Sequence, residues 1–399
     1  MDTVTPETLG LSAQRLTRAT AVLERYVAEG KIAGAIGLVA RHGKVGYHQC
    51  VGGLDLETRQ PMPEDALFRI FSMTKPITSV AAMMLFEEGK LSLDDPVSRY
   101  IPAFKKTRVI AKQTPSGFVL TDQDPEMRVW NLLTHTAGLS YGFGGMPVDD
   151  LYNEQGLLRF DEPLAEKVER IAEAPLCFQP GNRWHYSVAI DVLGRVIEIV
   201  SGQSLREFFL ERIFAPLGMP DTDFYVPAEK LPRLAAVYGQ EEDGGVRNLV
   251  TQPPEGSPFN AWIPMKKLFA FYSGGGGLVS STADYARFCA MLLNQGQLDG
   301  TRLLGRKTVE LMTLNHLGGS RPELPHEGFG LGFSVLLDVA PTHAPGSIGT
   351  FGWGGAASTN FWIDPVEQMY GVVMVQLMPN GPFDMAWEFR RAVYAALVD

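Results

Sequence analysis

A chain of 399 residues with 45% apolar and 20% charged side chains has the make-up of a globular protein, and its length allows two domains or one elaborated domain. A net charge of −10, with no basic block interleaved with aromatics, argues against a nucleic-acid partner. Cys50, Cys177 and Cys289 are odd in number and far apart, at neither disulfide-framework nor metal-ligand spacing.

From the N-terminus, residues 1–10 are polar and lack an apolar core, so no signal peptide is visible, and apolar runs of about ten residues are too short to span a bilayer. The cytoplasm is the expected location, with no membrane partner. An amphipathic helix is expected over 12–30, with Leu16, Ala19, Leu23 and Val27 as its apolar stripe, Ser12 as N-cap and Gly30 as its stop. Residues 35–40 and 45–51 read as strands joined by the turn Arg41-His42-Gly43-Lys44. A helix over the apolar run from Ile77 to Phe86 follows, ending near Gly89, and a short one over 91–100.

Residues 105–128 read as an exposed loop or small hairpin with extended pieces at 108–111 and 118–121. Helices are expected over 130–134, 164–172, 188–200 and 205–213, with a Gly- and aromatic-rich irregular stretch over 141–151. A long irregular segment is expected over 227–273. Strands over 329–337, 357–363 and 371–377 and a helix over 384–397 close the chain. Strands at both ends with helices between them predict an α+β fold: one antiparallel sheet built from both termini, flanked by helices, with a mostly helical insertion. The expected division is 1–72 plus 305–399 for the sheet domain and 73–304 for the helical one, with the active site in the cleft between them.

Three short stretches carry chemistry. Ser72 and Lys75 are three apart at the head of the 77–86 run, so both side chains share one helix face beside the free N–H groups of the first turn. An alcohol, an amine and a positive helix end suit an acyl-transfer nucleophile. The spacing itself is common, and an N-cap serine followed by a surface lysine accounts for it equally. Tyr186, in Trp184-His185-Tyr186-Ser187 after Pro180-Gly181, stands before a helix, where a phenol can point into a cleft. An ordinary phenol is too weakly acidic to act as a base near neutrality, and a nearby ammonium is the obvious remedy. Gly352-Trp353-Gly354-Gly355-Ala356 precedes a terminal strand, where glycines permit close backbone approach and an N–H can face a ligand.

Ser72-x-x-Lys75, Leu132-Leu133-Thr134-His135-Thr136-Ala137-Gly138-Leu139, Pro180-Gly181 with Tyr186-Ser187, Gly275-Gly276-Gly277-Leu278 with Ser281-Thr282-Ala283-Asp284, and Trp353-Gly354-Gly355 occur in one order. In that order the chain resembles the serine β-lactamase-like superfamily of class C β-lactamases and DD-peptidases, and it is most similar to the family VIII carboxylesterases. The resemblance covers nearly the whole length. It implies Ser72 as the acylated nucleophile, Lys75 and Tyr186 as its activators, and an oxyanion hole from the backbone N–H groups of Ser72 and Ala356. Trp353, Gly354 and Gly355 would line one wall beside the acyl carbonyl. No cofactor or metal is implied.

Two positions depart from the penicillin-recognising members. Val188 replaces the asparagine two residues after the tyrosine, and Trp353 replaces the lysine that opens the third motif. The site should be more apolar, with one fewer positive charge, which favours a neutral ester over an anionic antibiotic. The expectation is a carboxylesterase for short- to medium-chain esters. An acyltransferase, a weak β-lactamase or D-peptidase, and an inactive binding module remain the alternatives. His135 and His185 find no Gly-x-Ser-x-Gly partner and read as structural. Asp191 reads as an anchor for the Tyr186 loop. Tyr141, Phe143, Met146, Phe259, Trp262, Phe269 and Phe271 are candidate walls of an apolar pocket.

Overall fold

The first strand, Gly34–Arg41 (β1), carries no charge before its last residue, which is the pattern of a strand covered on both faces. All eight of its residues are buried. Ile36, Leu38 and Ala40 point into the main core, whereas Ala35 and Val39 point into a second core on the other side. β1 pairs with β2 (Lys44–Gly52) through the expected turn, and on its other edge with a strand from the far end of the chain, Leu38 opposite Val372. The computed structural model describes residues 3–399 apart from 116, 158, 160–161, 243, 256–270 and 382.

The sheet has seven strands, antiparallel throughout. After β1 and β2 come β3 (Glu327–Phe329), β4 (Ser334–Leu336), β5 (Phe351–Gly354), β6 (Asn360–Asp364) and β7 (Met369–Met374), in the spatial order β3-β4-β5-β6-β7-β1-β2. The outer face is covered by α1 (Ala13–Ala28) and the C-terminal helix Met385–Tyr394, which pack on each other. Ser12 caps α1 by accepting from the N–H of Arg15. The inner face is covered by the helix Thr282–Leu293, capped by Ser281. That helix lies within the 73–304 segment read as the helical insertion, yet packs across the sheet.

The helix Thr74–Glu87 (α2) is apolar all round and accordingly lies in the middle of the molecule, against the helix Ala189–Ser201. This is the expected α+β architecture, with one antiparallel sheet built from both ends of the chain. Among the described residues no helix is long and apolar enough to cross a membrane.

Several elements differ from expectation for local reasons. The helix expected over 91–100 is only a 3-10 turn, Val97–Arg99, because Ser92 and Asp95 bond their own neighbouring N–H groups and Pro96 has none to give. The strand expected over 329–337 is a hairpin. Its turn contains Gly332 at φ +94°, where a β-carbon would come 2.1 Å from Ser79 Oγ.

The segment expected to be irregular over 227–273 contains the strands Tyr238–Gln240 and Val246–Asn248, which form a small sheet with Leu377–Met378. The last sheet strand therefore ends at Met374, short of the expected 377. Between them, Gln376 turns its amide onto Arg69, accepting from its N–H at 3.1 Å and donating to its carbonyl at 3.0 Å. Arg69 closes the strand Leu67–Arg69, three residues before Ser72.

Candidate active site

Ser72 sits where that strand turns into α2. The turn is a 3-10 step, Phe71–Met73, and Phe71 is held at φ +44°, a backbone region costly for a bulky side chain. Strain at the residue before the serine directs Ser72 towards the open cleft, where it lines a cavity of about 640 Å³. The turn at Ser72 is thus tighter than an α-turn, and regular helix begins at Thr74, ahead of the apolar run from Ile77.

Two donors converge on the Ser72 hydroxyl. Tyr186 Oη donates to Oγ at 2.7 Å, and Lys75 Nζ donates to it at 3.2 Å. Lys75 is 1% exposed, and its ammonium also donates to Tyr141 Oη at 2.9 Å and to the Gly275 carbonyl at 2.6 Å. Three partners saturate the three N–H groups of a lysine. Its Nζ also lies 4.6 Å from the centre of the Tyr186 ring. The Ser72–Lys75 pair and Tyr186, singled out from two separate parts of the chain, therefore meet at one oxygen.

Each partner is held by its own scaffold. Asp191, 3% exposed, does not reach the Tyr186 loop as expected. Its carboxylate instead accepts from Ser273 Oγ at 2.6 Å and from the Gly275 N–H at 3.0 Å, fixing the residue whose carbonyl holds Lys75.

The Tyr186 loop is secured by the His135–Ser140 segment. The His135 carbonyl accepts from the N–H of His185 at 2.9 Å, its Nδ1 from the N–H of Ser187 at 3.3 Å, and the Ser140 carbonyl from that of Val188 at 3.3 Å. His135 is fully buried with its ring 4.9 Å from that of Tyr186. Burial, and after it the charges of Lys75, Arg321 and His185, hold its imidazole well below the usual histidine range, so it is neutral. His185 packs edge-on against Phe178.

The opposite wall is the end of β5. β4 pairs only with Phe351 and Gly352, so Trp353 and Gly354 extend past it with an open edge to the cavity. Gly355 lies so close to the strand before Ser72 that a β-carbon would come 2.4 Å from the Ile70 carbonyl and 2.2 Å from Thr359 Oγ1. Only glycine permits this approach, and the neighbouring Ala356 lines the same cavity as Ser72.

Tyr141, Phe143, Trp353, Gly354 and Gly355 line the cavity, as does Val188. Phe143 stacks on Tyr141 with ring centres 5.4 Å apart, and Trp353 lies 5.5 Å from the Tyr186 ring. Met146 and Phe271 pack into the main core instead, and Phe259, Trp262 and Phe269 lie outside the described residues.

Sequence reading missed two participants. The hydroxyl of Tyr141, read only as a wall, is a partner of Lys75; burial, then the charges of Tyr186 and Asp191, hold its phenol well above its usual range. Arg321 reaches over Trp353, its guanidinium 5.3 Å from that ring and 4.5 Å from the Trp184 ring, with Glu327 as its ion-pair partner at 3.0 Å. A positive charge thus returns to the cleft from another element, already paired. Nothing in the local sequence around Arg321 signals this, because the rings it meets, Trp184 and Trp353, are distant in sequence. Among the described residues no cluster of potential ligands could hold a metal ion.

Residues 19–395 match the family described as beta-lactamase, and the chain belongs to that family. It is 34% identical to Esterase EstB of Burkholderia gladioli over 405 residues, covering 98% of both chains. Among solved structures it superposes on EstCE1, described as a hydrolase with promiscuous acyltransferase activity, with a TM-score of 0.80 and 30% identity over 96% of this chain and 99% of that one. Unliganded selenomethionyl LovD, the simvastatin synthase of Aspergillus terreus, is similar at a TM-score of 0.80 and 27% identity over 96% and 99%. The chain is therefore a β-lactamase-fold serine hydrolase type with esterase relatives.

Proposed function

We propose that this chain is a cofactor-free carboxylesterase that cleaves short- to medium-chain carboxylic esters through an acyl-enzyme on Ser72. The observation that carries the reading is the convergence of Tyr186 Oη and Lys75 Nζ on one serine oxygen. The reacting form of the Tyr186–Lys75 pair holds one proton fewer than an ammonium beside a phenol, and the Ser72 proton passes to that vacant site as Oγ bonds to the ester carbonyl carbon. The two groups act as one proton-handling unit rather than as separate bases. The oxyanion is held by the N–H groups of Ser72 and Ala356, placed in the low-dielectric cleft before charge develops. Collapse breaks the bond to the alcohol, which leaves with the proton returned through Tyr186. Water then attacks the acyl-enzyme by the same path, releasing the acid and restoring Ser72.

An ester is favoured over a β-lactam because Val188 and Trp353 present apolar surface where the penicillin-recognising members carry asparagine and lysine, and because the Arg321 charge is already paired with Glu327. EstB, an esterase by name, supports the same choice. Three unpaired cysteines suit a reducing compartment, and we place the enzyme in the cytoplasm. Comparing p-nitrophenyl butyrate with nitrocefin tests the reading: ester turnover should dominate, and efficient nitrocefin hydrolysis with little ester cleavage would overturn it.

Acyl transfer to a second alcohol is the one further reading with specific support. EstCE1 is described as a hydrolase with promiscuous acyltransferase activity, and an acyl-enzyme does not distinguish water from another hydroxyl.

A further inference from the structure

The cavity that opens at Ser72 does not end at the catalytic wall. Past the open edge of β5 it continues over the outer face of the sheet to the C-terminal helix, where Trp387 and Arg390 line it. Register explains this second arm. Gly352 pairs with Ser334 on one side and Trp362 on the other, and Gly354 pairs with Asn360, so these five residues share the face opposite Trp353. The two glycines leave the floor low. Trp362 lies flat, its ring where a β-carbon on Gly371 would be, only 2.2 Å away.

At the far end stands a cation without an anion. The Arg390 guanidinium lies 5.7, 5.5 and 5.4 Å from the ring centres of Trp362, Trp387 and Tyr394. Among the described residues it forms no direct ion pair; it meets the Tyr394 hydroxyl, and its Nε and the Trp362 Nε1 are buried donors with no acceptor. Neighbouring acids are engaged elsewhere: Asp364 accepts from Tyr394 Oη at 2.7 Å and from the N–H groups of Val366 and Glu367, and Glu388 pairs with Arg25. A guanidinium fork fits a carboxylate in two parallel hydrogen bonds, and indole walls suit methylene groups. Buried donors lacking acceptors are unusual enough to call for a ligand that supplies them.

Resting on the esterase reading, we propose that this arm is a carboxylate subsite: the preferred substrates are esters whose tail ends in a carboxylate, bound by Arg390 between Trp362 and Trp387. The reacting end stays neutral and apolar, and the charge is read at a distance. Binding energy gained there orients the ester at Ser72.

The test uses mono-p-nitrophenyl esters of dicarboxylic acids from succinate to sebacate, against neutral p-nitrophenyl esters of matched length. The wild type should prefer the acid ester at one or more chain lengths, and Arg390→Gln should cut the acid-to-neutral ratio of kcat/KM about tenfold or more. Should Arg390→Gln fail to fold, Trp387→Ala, whose side chain is 46% exposed, removes a wall of the same arm and should lower the same ratio. Calorimetric titration of suberate into Ser72→Ala reads the subsite without turnover, and binding should weaken at least tenfold when Arg390→Gln is added. A ratio unchanged in both variants, or suberate binding indifferent to Arg390, overturns the subsite. Loss of neutral-ester turnover in the wild type would count against the esterase reading alone, since the suberate titration is independent of it.

Discussion

Asp191 and Lys75 are joined through a single residue: the Gly275 N–H donates to the Asp191 carboxylate at 3.0 Å, and the Gly275 carbonyl accepts from Lys75 Nζ at 2.6 Å. A buried carboxylate thereby sets the direction of a buried ammonium without touching it. Replacing Asp191 by Asn keeps an acceptor but removes the charge, and kcat for ester hydrolysis should fall about tenfold with KM little changed. Asp191→Ala leaves the Ser273 hydroxyl and the Gly275 N–H without their acceptor, and should also cost about 1–3 kcal/mol of stability by denaturant titration.

The two tyrosines at the site should separate by experiment. Tyr186 touches the Ser72 oxygen, whereas Tyr141 touches only Lys75. Tyr186→Phe should lower kcat by roughly 10²–10⁴-fold, the range for a positioned proton-transfer group. Tyr141→Phe should lower it by a smaller factor, about tenfold. Equal losses in steady-state assays would show that the proton path runs through both phenols.

Gly355 should tolerate no side chain. With a β-carbon 2.4 Å from the Ile70 carbonyl, Gly355→Ala must push β5 away from the Ser72 turn and displace the Ala356 N–H. A misplacement near 1 Å is worth roughly 10²-fold in rate. The expected signature is a kcat loss of that order, with acylation, measured by the burst of p-nitrophenol, slowed more than substrate binding.

His135 gives the fold a pH dependence with a definite sign. It is neutral in the folded protein because burial and nearby cations hold its imidazole low, while in the unfolded chain it takes up a proton near its ordinary value of 6.5. Below about pH 6.5 the unfolded state therefore binds more protons, and this contribution to stability is lost as pH falls. Thermal melting followed from pH 7.5 to pH 5 should show a steeper decline for the wild type than for His135→Gln.

The sequence made legible what depends on local pattern. The two-faced apolar strand Gly34–Arg41, the capped first helix and the all-apolar helix after Ser72 follow from side-chain periodicity. Ser72, Lys75 and Tyr186 were found through short motifs whose order carries the information. What stayed hidden depends on tertiary contact. Asp191 could be seen as an anchor, but its partner, 84 residues on, could not. Arg321 meets Trp184 and Trp353 while paired with Glu327 on β3, contacts to rings 137 and 32 positions away that no local pattern displays. The break between β7 and Leu377 reflects Gln376 bonding Arg69 across 307 residues, which no window of neighbouring residues contains.

The most direct measurement is the intact mass of the protein after brief exposure to a fluorophosphonate, followed by peptide mapping. A single adduct on Ser72, absent from Ser72→Ala and formed far more slowly in Lys75→Ala and Tyr186→Phe, is the predicted result. An adduct on another residue, or ester hydrolysis that persists undiminished in Ser72→Ala, would contradict the account.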